Sequence, residues 1–270
     1  MDLDGHQPLY RGRPSLCTGK PVHLRYSDGF ADPQHTYSMK DSIENTSRCA
    51  IHQAITSRKS TRTFLAKAID RKVLDELLLI AGSAPSGSNI QPWQVHVVSG
   101  AARDRLSAAL LAAHQSGEPS AREYEYYPLT WRSPYVERRR AAGWGLYSLL
   151  GIEKGDHGAT ARQHGRNYEF FGAPVVLIFT IDQDLQTGSW LDYGMFLQTI
   201  MIGARGYGLH TCPQAALANY PHIVKEQLGI SDTRIVVCGM SIGYEDPTQD
   251  VNEFQPARMA LEEFVRHHQD

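Results

Sequence analysis

The spacing of apolar and polar residues predicts helices and strands from about residue 43 to the end of the chain. Helical spacing covers residues 43–58, 71–81, 101–114, 190–207 and 222–228. Strand-like apolar runs cover residues 93–98, 174–181 and 234–243. Because the helices and strands are mixed without strict β-α-β alternation, the pattern favours an α+β fold over a doubly wound parallel sheet.

Two stretches depart from this pattern. Residues 1–42 are rich in Pro, Gly, Asp, His and Arg and show no sustained periodicity, so they are predicted to form an extended N-terminal arm. Residues 43–270 are predicted to form a single domain. Within that domain, residues 115–170 interleave tyrosines and tryptophans with arginines.

Composition narrows the classes of function. The chain has 270 residues, 41% hydrophobic and 21% charged, which is ordinary for a globular protein and argues against wholesale disorder. A formal net charge of −2 argues against a nucleic-acid binder, which needs a basic surplus. The longest apolar run, residues 174–181, is far shorter than the ~20 residues of a membrane helix. The first residues lack the apolar core of a secretory signal, so a cytoplasmic location is expected.

Cysteine and histidine usage gives no sign of a metal centre. The four cysteines, Cys17, Cys49, Cys212 and Cys238, form no C-x-x-C pair. Their scatter predicts neither a zinc finger nor a disulfide framework, and it suits a reducing compartment. The 12 histidines form no H-E-x-x-H or similar ligand cluster, so no protein-bound metal is expected.

Two polar segments are candidates for ligand binding. Arg58–Arg62 places three cations and two hydroxyls at a helix end, where they could grip a phosphate or simply complement the helix C-terminus. Pro85–Trp93 is a loop of short polar residues that could approach a flat ligand or could be an ordinary helix-to-strand connection. In either case Trp93 is predicted to be a core anchor.

A third segment, Gly239–Gly243, matches the G-x-S-x-G pattern of serine hydrolases around Ser241. A nucleophile elbow must turn directly into a helix, and the following Tyr-Glu-Asp-Pro forbids one. A hydrolase is therefore disfavoured. The chain also shows no G-x-G-x-x-G after a strand and no Walker loop, so a Rossmann or P-loop nucleotide site is not indicated.

Taken together, the two polar segments resemble a known family signature. S-R-K-S-T-R-T-F at residues 57–64 and A-P-S-G-S-N-I-Q-P-W at 84–93 are similar to motifs of the FMN-dependent nitroreductase family. Three other segments resemble the family's entry into its central strand, its flavin-N5 loop and its C-terminal phosphate arm. They lie at residues 167–174, at residues 213–217, and in the tail with Asn252, Arg258 and residues 261–265. The resemblance spans roughly residues 43–270.

The resemblance implies a three-layer fold with a central, mostly antiparallel sheet flanked by helices. It also implies an intertwined homodimer with two FMN sites at the interface, each built from both chains, and the helix at 190–207 would suit the central contact. Carried over by position, the residues that would bind the FMN phosphate are Arg58, Ser60, Arg62 and Arg258, with Lys59 contributing main chain or charge. The isoalloxazine ring would be bound by Pro85, Ser86 and Asn89. Flavin N5 would be contacted by the loop of Pro213, Gln214, Ala215 and Ala216. Many relatives carry Glu-Gly where this chain has Ala215-Ala216; because the contact is made by a backbone N–H, we expect it to survive.

The resemblance further implies an activity. NADH or NADPH would pass hydride to flavin N5, and a small aromatic oxidant, a nitroaromatic or a quinone, would then take it in a ping-pong cycle without a catalytic side chain. Another flavin reaction (reductive dehalogenation, enoate reduction or flavin fragmentation) and a flavin-binding module without turnover remain alternatives. Residues 115–170 would form a helical substrate lid, with candidate contacts Tyr124, Trp131, Arg132, Trp144 and Tyr147. These rings could instead pack the lid against the core.

Overall fold

The computed structural model describes residues 39–269, with side chains described from residue 46 onward. The chain divides into two units, Met1–Thr56 and Ser57–Asp270. Helix α1 (Met39–Ser57) lies almost entirely in the first unit. The predicted arm at residues 1–42 lies outside the described residues except for its last four, which open α1.

The second unit is built on a four-stranded sheet. Its strands are β1 (Gln94–Ser99), β2 (Val175–Asp182), β3 (His210–Gln214) and β4 (Arg234–Gly243), in the spatial order β1-β2-β4-β3. All three neighbouring pairs are antiparallel. The predicted α+β class and antiparallel sheet are therefore confirmed, and β3 lies at an edge of the sheet.

Seven helices follow α1 in the described chain. They are α2 (Arg71–Ala81), α3 (Gly100–Gln115), α4 (Tyr135–Leu149), α5 (His157–Gly165), α6 (Thr187–Gly206), α7 (Pro221–Leu228) and α8 (Leu261–Phe264). The helices predicted from residue 71 onward are confirmed to within three residues at each end. Helix α2 begins where the sequence predicts, because the Asp70 carboxylate accepts a hydrogen bond from the backbone N–H of Lys72 at 2.9 Å. None of the described helices is long and apolar enough to cross a membrane.

Alternate residues of β2 point to opposite faces of the sheet, and each face is covered by helices. Leu177, Phe179 and Ile181 pack with buried residues of α2 and α6, whereas Val176 and Ile178 pack with buried residues of α3 and α7. The fold is therefore a helix–sheet–helix sandwich, as the resemblance implied. Trp93 stacks on Phe196 of α6 with ring centroids 4.6 Å apart, which confirms it as a core anchor.

Close contact between α2 and α6 depends on one glycine. A Cβ atom on Gly203 would lie 2.8 Å from Leu77 Cδ1, closer than two carbons can approach. By contrast, a Cβ on Gly194 or Gly206 would meet no described atom within 4 Å. Gly203 therefore lets α2 and α6 approach each other closely within this chain.

Two expectations are wrong. The segment around Pro213 was predicted as a loop, but it forms β3, with Pro213 opposite Met240. A proline is tolerated there because an edge strand does not need every N–H for pairing. The cysteines were expected to form no disulfide framework; Cys212 and Cys238 are indeed free and buried, but Cys49 is disulfide-bonded.

Candidate active site

The cationic segment Arg58–Arg62 is fixed along the outer edge of β3. Ser60 forms a parallel bridge with Thr211, and the N–H of Thr61 donates to the carbonyl of Thr211 at 3.0 Å. Thr61 is fully buried. Because β3 runs on into Pro213–Ala216, the structure brings together two segments that are about 150 residues apart in sequence.

Arg58 and Arg258 form a pair of like charges. Burial is the main cause that lowers the pKa of Arg58, and the nearby Arg258 guanidinium lowers it further. Within residues 46–269, neither arginine has a carboxylate within 4.0 Å, and Arg258 Nη1 donates to the backbone carbonyls of Pro256 and Ala257. Two guanidinium groups whose charges interact and that have no described carboxylate partner favour the binding of an anion such as a phosphate.

Lys59 is different because its charge is already paired. Its ammonium lies 2.6 Å from Glu245 Oε1, and Glu245 Oε2 lies 3.0 Å from His210 Nδ1. Burial, Arg205 and Lys59 outweigh the carboxylate and lower the pKa of His210 to about 4, so the neutral imidazole donates its Nδ1–H to Glu245. Of the two roles expected for Lys59, this ion pair favours the main-chain role.

A buried amide ties the C-terminal segment to the same cationic segment. Asn252 is 1% exposed, and its Oδ1 accepts from the backbone N–H of Arg62 at 2.7 Å. Its Nδ2 donates to the carbonyls of Thr63 and Asp246 at 2.9 and 3.0 Å. The Arg62 guanidinium lies 5.8 Å from the centre of the Phe254 ring. Arg62 and Arg258 therefore belong to segments that are fixed against each other.

Gln214, the last residue of β3, orients the turn into Ala215 and Ala216. Its Nε2 donates to the carbonyl of Asn167 at 2.7 Å. Its Oε1 lies 2.6 Å from Ser241 Oγ. The side chain is almost fully buried, so it fixes the turn from within.

Ser241 is therefore a structural residue. It is fully buried near the C-terminal end of β4, and its hydroxyl lies between Gln214 Oε1, 2.6 Å away, and the Phe170 carbonyl, 2.9 Å away. No elbow turns from this strand into a helix, since β4 continues to Gly243. The G-x-S-x-G match carries no nucleophile.

The loop at Pro85–Asn89 lies elsewhere, on helix α6. The N–H of Gly87 donates to the buried Asp192 Oδ2 at 3.0 Å, and Ser86 Oγ accepts from the N–H of Gln91 at 3.1 Å. Pro85 and Asn89 are exposed. Within the described part of the chain, no hydrogen bond or ion pair links this loop to Arg58–Arg62, to Arg258 or to Pro213–Ala216.

A cavity of about 700 Å³ opens beside Ala215 and Ala216, between the sheet edge and the segment at residues 115–170. Trp144 and Tyr147, both predicted substrate contacts, line it, and Tyr147 Oη lies 2.7 Å from His164 Nε2. The other side chains on its wall include His114, Arg122, Tyr126, Tyr127, Arg139, Arg140, Asn167, Tyr168, Asn219 and Tyr220.

The other three predicted lid contacts are placed differently. Tyr124 donates its hydroxyl to the Val237 carbonyl and packs against Trp190 with ring centroids 4.6 Å apart. Burial raises its pKa. It lines a second cavity of about 650 Å³ against α6, which Pro213, Gln214 and Ala215 also reach. Trp131 and Arg132 line a smaller hollow of about 300 Å³ within the lid.

Three acidic or polar residues that hold candidate segments in place were not predicted as site residues. Asp192 holds the loop at Gly87, Glu245 pairs with Lys59, and Asn219 accepts from Arg122 Nε at 2.5 Å. The signal for Asp192 was an acidic residue inside an otherwise apolar helix, which is buried only when it has partners. Among residues 46–269, no three His, Cys, Asp or Glu side chains are grouped as metal ligands.

Comparison with known proteins gives a consistent result. Residues 55–244 match the family model described as the Nitroreductase family. A 4-nitrobenzoate reductase of Pseudomonas putida is 44% identical over 211 residues, covering 78% of this chain and 92% of that protein. A chloronitrobenzene nitroreductase of Comamonas testosteroni is 36% identical over 216 residues, covering 80% and 95%. The FMN-dependent nitroreductase NfnB from Mycobacterium smegmatis, solved in complex with NADPH, has a TM-score of 0.78 at 33% identity and covers 82% of this chain and 98% of that chain.

Proposed function

Because the chain belongs to the nitroreductase family, we propose that it is an FMN-dependent oxidoreductase that uses NADH or NADPH to reduce nitroaromatic or quinone-like compounds. The net first step for a nitroarene is ArNO2 + NAD(P)H + H⁺ → ArNO + NAD(P)⁺ + H2O. When bound, FMN supplies the hydride chemistry that links the nicotinamide to the acceptor, and the protein supplies binding and orientation.

The pairing of Arg58 with Arg258 is the observation that carries this proposal. Two guanidinium groups with no described carboxylate partner lie on segments fixed to β3 and to the C-terminal arm. Arg58, Ser60, Arg62 and Arg258 would hold the FMN phosphate through charge-assisted hydrogen bonds. The residues present therefore fit the cofactor at its most highly charged group.

Ala215 and Ala216 would face the flavin ring through their backbone. They begin a short 3-10 helix after β3, and the first N–H groups of a helix have no acceptor within it. The loss of the Glu-Gly pair common in relatives leaves such a contact intact, because no side chain takes part. The neighbouring cavity, walled by Trp144 and Tyr147, would hold the flat acceptor.

The position of the loop at Pro85–Asn89 supports a homodimer with FMN at the interface. That loop lies on α6 and has no described bond to the phosphate segments, so a second copy of the chain would supply it. Leu79 on α2 and Leu191 on α6 are 79% and 71% exposed, which suits surfaces that another subunit covers. The cytoplasmic location stays a prediction from the sequence.

An anaerobic absorption experiment tests the proposed function. The purified protein should show a flavin spectrum, lose it on addition of NADH or NADPH, and regain it on addition of nitrobenzene. A protein that takes up no FMN would contradict the proposal. Flavin that is bleached but reoxidised by nitrobenzene no faster than by dioxygen would point instead to one of the other flavin reactions or to a binding module.

A further inference from the structure

We propose that Arg139 and Arg140 of α4 form a subsite for an anionic group, and that this group is the carboxylate of a nitroaromatic acid. This inference rests on the proposed function, because it names the class of acceptor that the same cavity prefers. It adds two residues outside the FMN-binding segments, and it predicts that charge on the acceptor decides between substrates of equal size.

The charge of the cavity wall is the first argument. Arg122, Arg139 and Arg140 all line the 700 Å³ cavity beside Ala215 and Ala216. No Asp or Glu is among the described residues that line it. A cavity wall with several cations and no carboxylate attracts anions and disfavours cationic ligands.

Arg122 and Arg139 differ in the partners that hold their guanidinium groups. Arg122 is held by Asn219, with Nε 2.5 Å from Asn219 Oδ1, so part of its donor set is already used. Arg139 lies 4.8 Å from the centre of the Trp131 ring. Stacking of this kind fixes a guanidinium while leaving its N–H donors free at the edge. Arg139 is therefore oriented by an aromatic ring and has no described carboxylate within 4.0 Å.

Arg138, the preceding residue of the same helix, has an acidic partner. Arg138 Nη2 lies 3.9 Å from Glu263 Oε1, on the side of α4 that faces the C-terminal arm. Arg139 and Arg140, one and two residues later, turn toward the cavity and meet no acid in the described chain. Of three consecutive arginines, the two at the cavity keep their charge available for a ligand.

The rest of the wall fits a flat acid. Trp144 and Tyr147 supply aromatic side chains to the same cavity wall as the arginines and the loop at Ala215–Ala216. A benzoate places an apolar ring and a carboxylate at opposite ends of one rigid molecule. The ring would pack on these aromatic side chains, and the carboxylate would accept forked hydrogen bonds from guanidinium groups. The opposite end, with the nitro group, would then point toward the loop.

The test compares two acceptors of matched size, 4-nitrobenzoate and the neutral 4-nitrobenzamide, in steady state with NADPH and with NADH. The double variant Arg139→Gln/Arg140→Gln should lower kcat/KM for 4-nitrobenzoate at least fivefold and leave 4-nitrobenzamide within twofold. Arg138→Gln is the control, since it removes one positive charge from the same helix outside the cavity, and it should leave both acceptors within twofold. The values are compared as ratios between variants, so the different electron demand of the two acceptors cancels.

Other outcomes overturn the inference and are distinct from failure of the proposed function. An equal fall for both acceptors, or an unchanged preference, would show that the arginines do not recognise the carboxylate. A fall in kcat/KM for NADPH alone, with NADH unaffected, would assign the pair to the coenzyme phosphate instead. If the wild-type protein bound FMN but reduced neither acceptor, the proposed function would fail rather than the subsite.

The anion subsite can also be tested on the wild-type protein, so this test does not depend on a variant that folds. Benzoate and benzamide are added to the FMN-loaded protein, and the perturbation of its flavin spectrum is titrated. Benzoate should bind at least fivefold more tightly than benzamide, and raising the salt concentration should narrow the difference. Equal affinities would overturn the inference.

Discussion

Lys59 Nζ lies 2.6 Å from Glu245 Oε1, whereas its neighbour Arg58 has no carboxylate partner in the described chain, and the charge of Arg258 helps to lower the pKa of Arg58. Adjacent cations in one motif therefore have different roles. Lys59 stabilises the packing of the segment after β4, and Arg58 keeps its charge for a ligand.

Replacing the two cations should separate these roles. Arg58→Ala would remove the proposed charge-assisted contact to the FMN phosphate, so it should weaken FMN affinity about tenfold or more. Lys59→Met should affect FMN affinity less and lower the free energy of unfolding instead, because it leaves Glu245 without its ammonium. Flavin fluorescence titration and urea unfolding measure the two effects. Arg71→Ala, an exposed arginine on α2, is the control, and equal losses of affinity in Arg58→Ala and Arg71→Ala would contradict the assignment.

A mixing experiment tests whether each FMN site uses two chains. Arg58→Ala and the double variant Ser86→Ala/Asn89→Ala should each bind FMN poorly as pure proteins. If Arg58 and the loop serve one site from different chains, a mixed dimer has one site with neither defect and one with both. Random mixing should then restore roughly a quarter of the wild-type sites. No restoration, with mixed dimers verified by two affinity tags, would place both elements in the same chain's site.

The buried imidazole at His210 predicts a pH dependence of stability. Its pKa is lowered to about 4, against about 6.5 in an unfolded chain. Between these values the unfolded chain binds a proton that the folded protein does not, so the free energy of unfolding should fall as the pH drops from 6.5 to 4. Urea unfolding across this window should show a shallower fall for His210→Gln than for the wild type. His222→Gln, at an exposed pair with Glu118, should follow the wild-type curve, and parallel curves for all three proteins would refute the prediction.

Ser241 should matter for stability and not for chemistry. Ser241→Ala removes a buried hydroxyl that lies within hydrogen-bond distance of Gln214 Oε1 and of the Phe170 carbonyl, which costs about 1–3 kcal/mol of unfolding free energy. The folded variant should still reduce nitrobenzene with NAD(P)H. Ser231→Ala, at an exposed turn, is the comparison and should cost much less. An unchanged stability in Ser241→Ala would show that the Gln214 contact is dispensable.

Sequence reasoning was most successful where one periodicity dominates a segment. Helix α2 was predicted with both ends because Leu74 and Leu77 recur at helical spacing after an N-capping Asp70. Strand β4 was predicted from Arg234 to Gly243 because it is central and apolar over almost its full length. In these segments local propensity and burial agree, so the pattern is unambiguous.

Strand β3 was missed because its local sequence argues against a strand. It has five residues, one of them Pro213, and its pairing with β4 is a contact between distant parts of the chain. Helix α4 has the same difficulty for another reason. Every residue of α4 is at least partly exposed, so no apolar stripe marks the helix. The sequence could not predict which aromatic side chains of residues 115–170 line which cavity. Tyr124 and Tyr147 are the same residue type, and they differ in their hydrogen-bond partners, which are distant in sequence.

The range matched by the family model ends at residue 244, and the next residue is the partner of Lys59. Asn252, which holds the backbone of Arg62, and Arg258 lie further on. A shortened chain ending at residue 244 would retain all four strands and still lose Arg258, one of the arginines proposed to hold the FMN phosphate. In protein engineering, the last 26 residues should therefore be kept with the sheet, and a fusion partner or affinity tag is better added after them than put in their place.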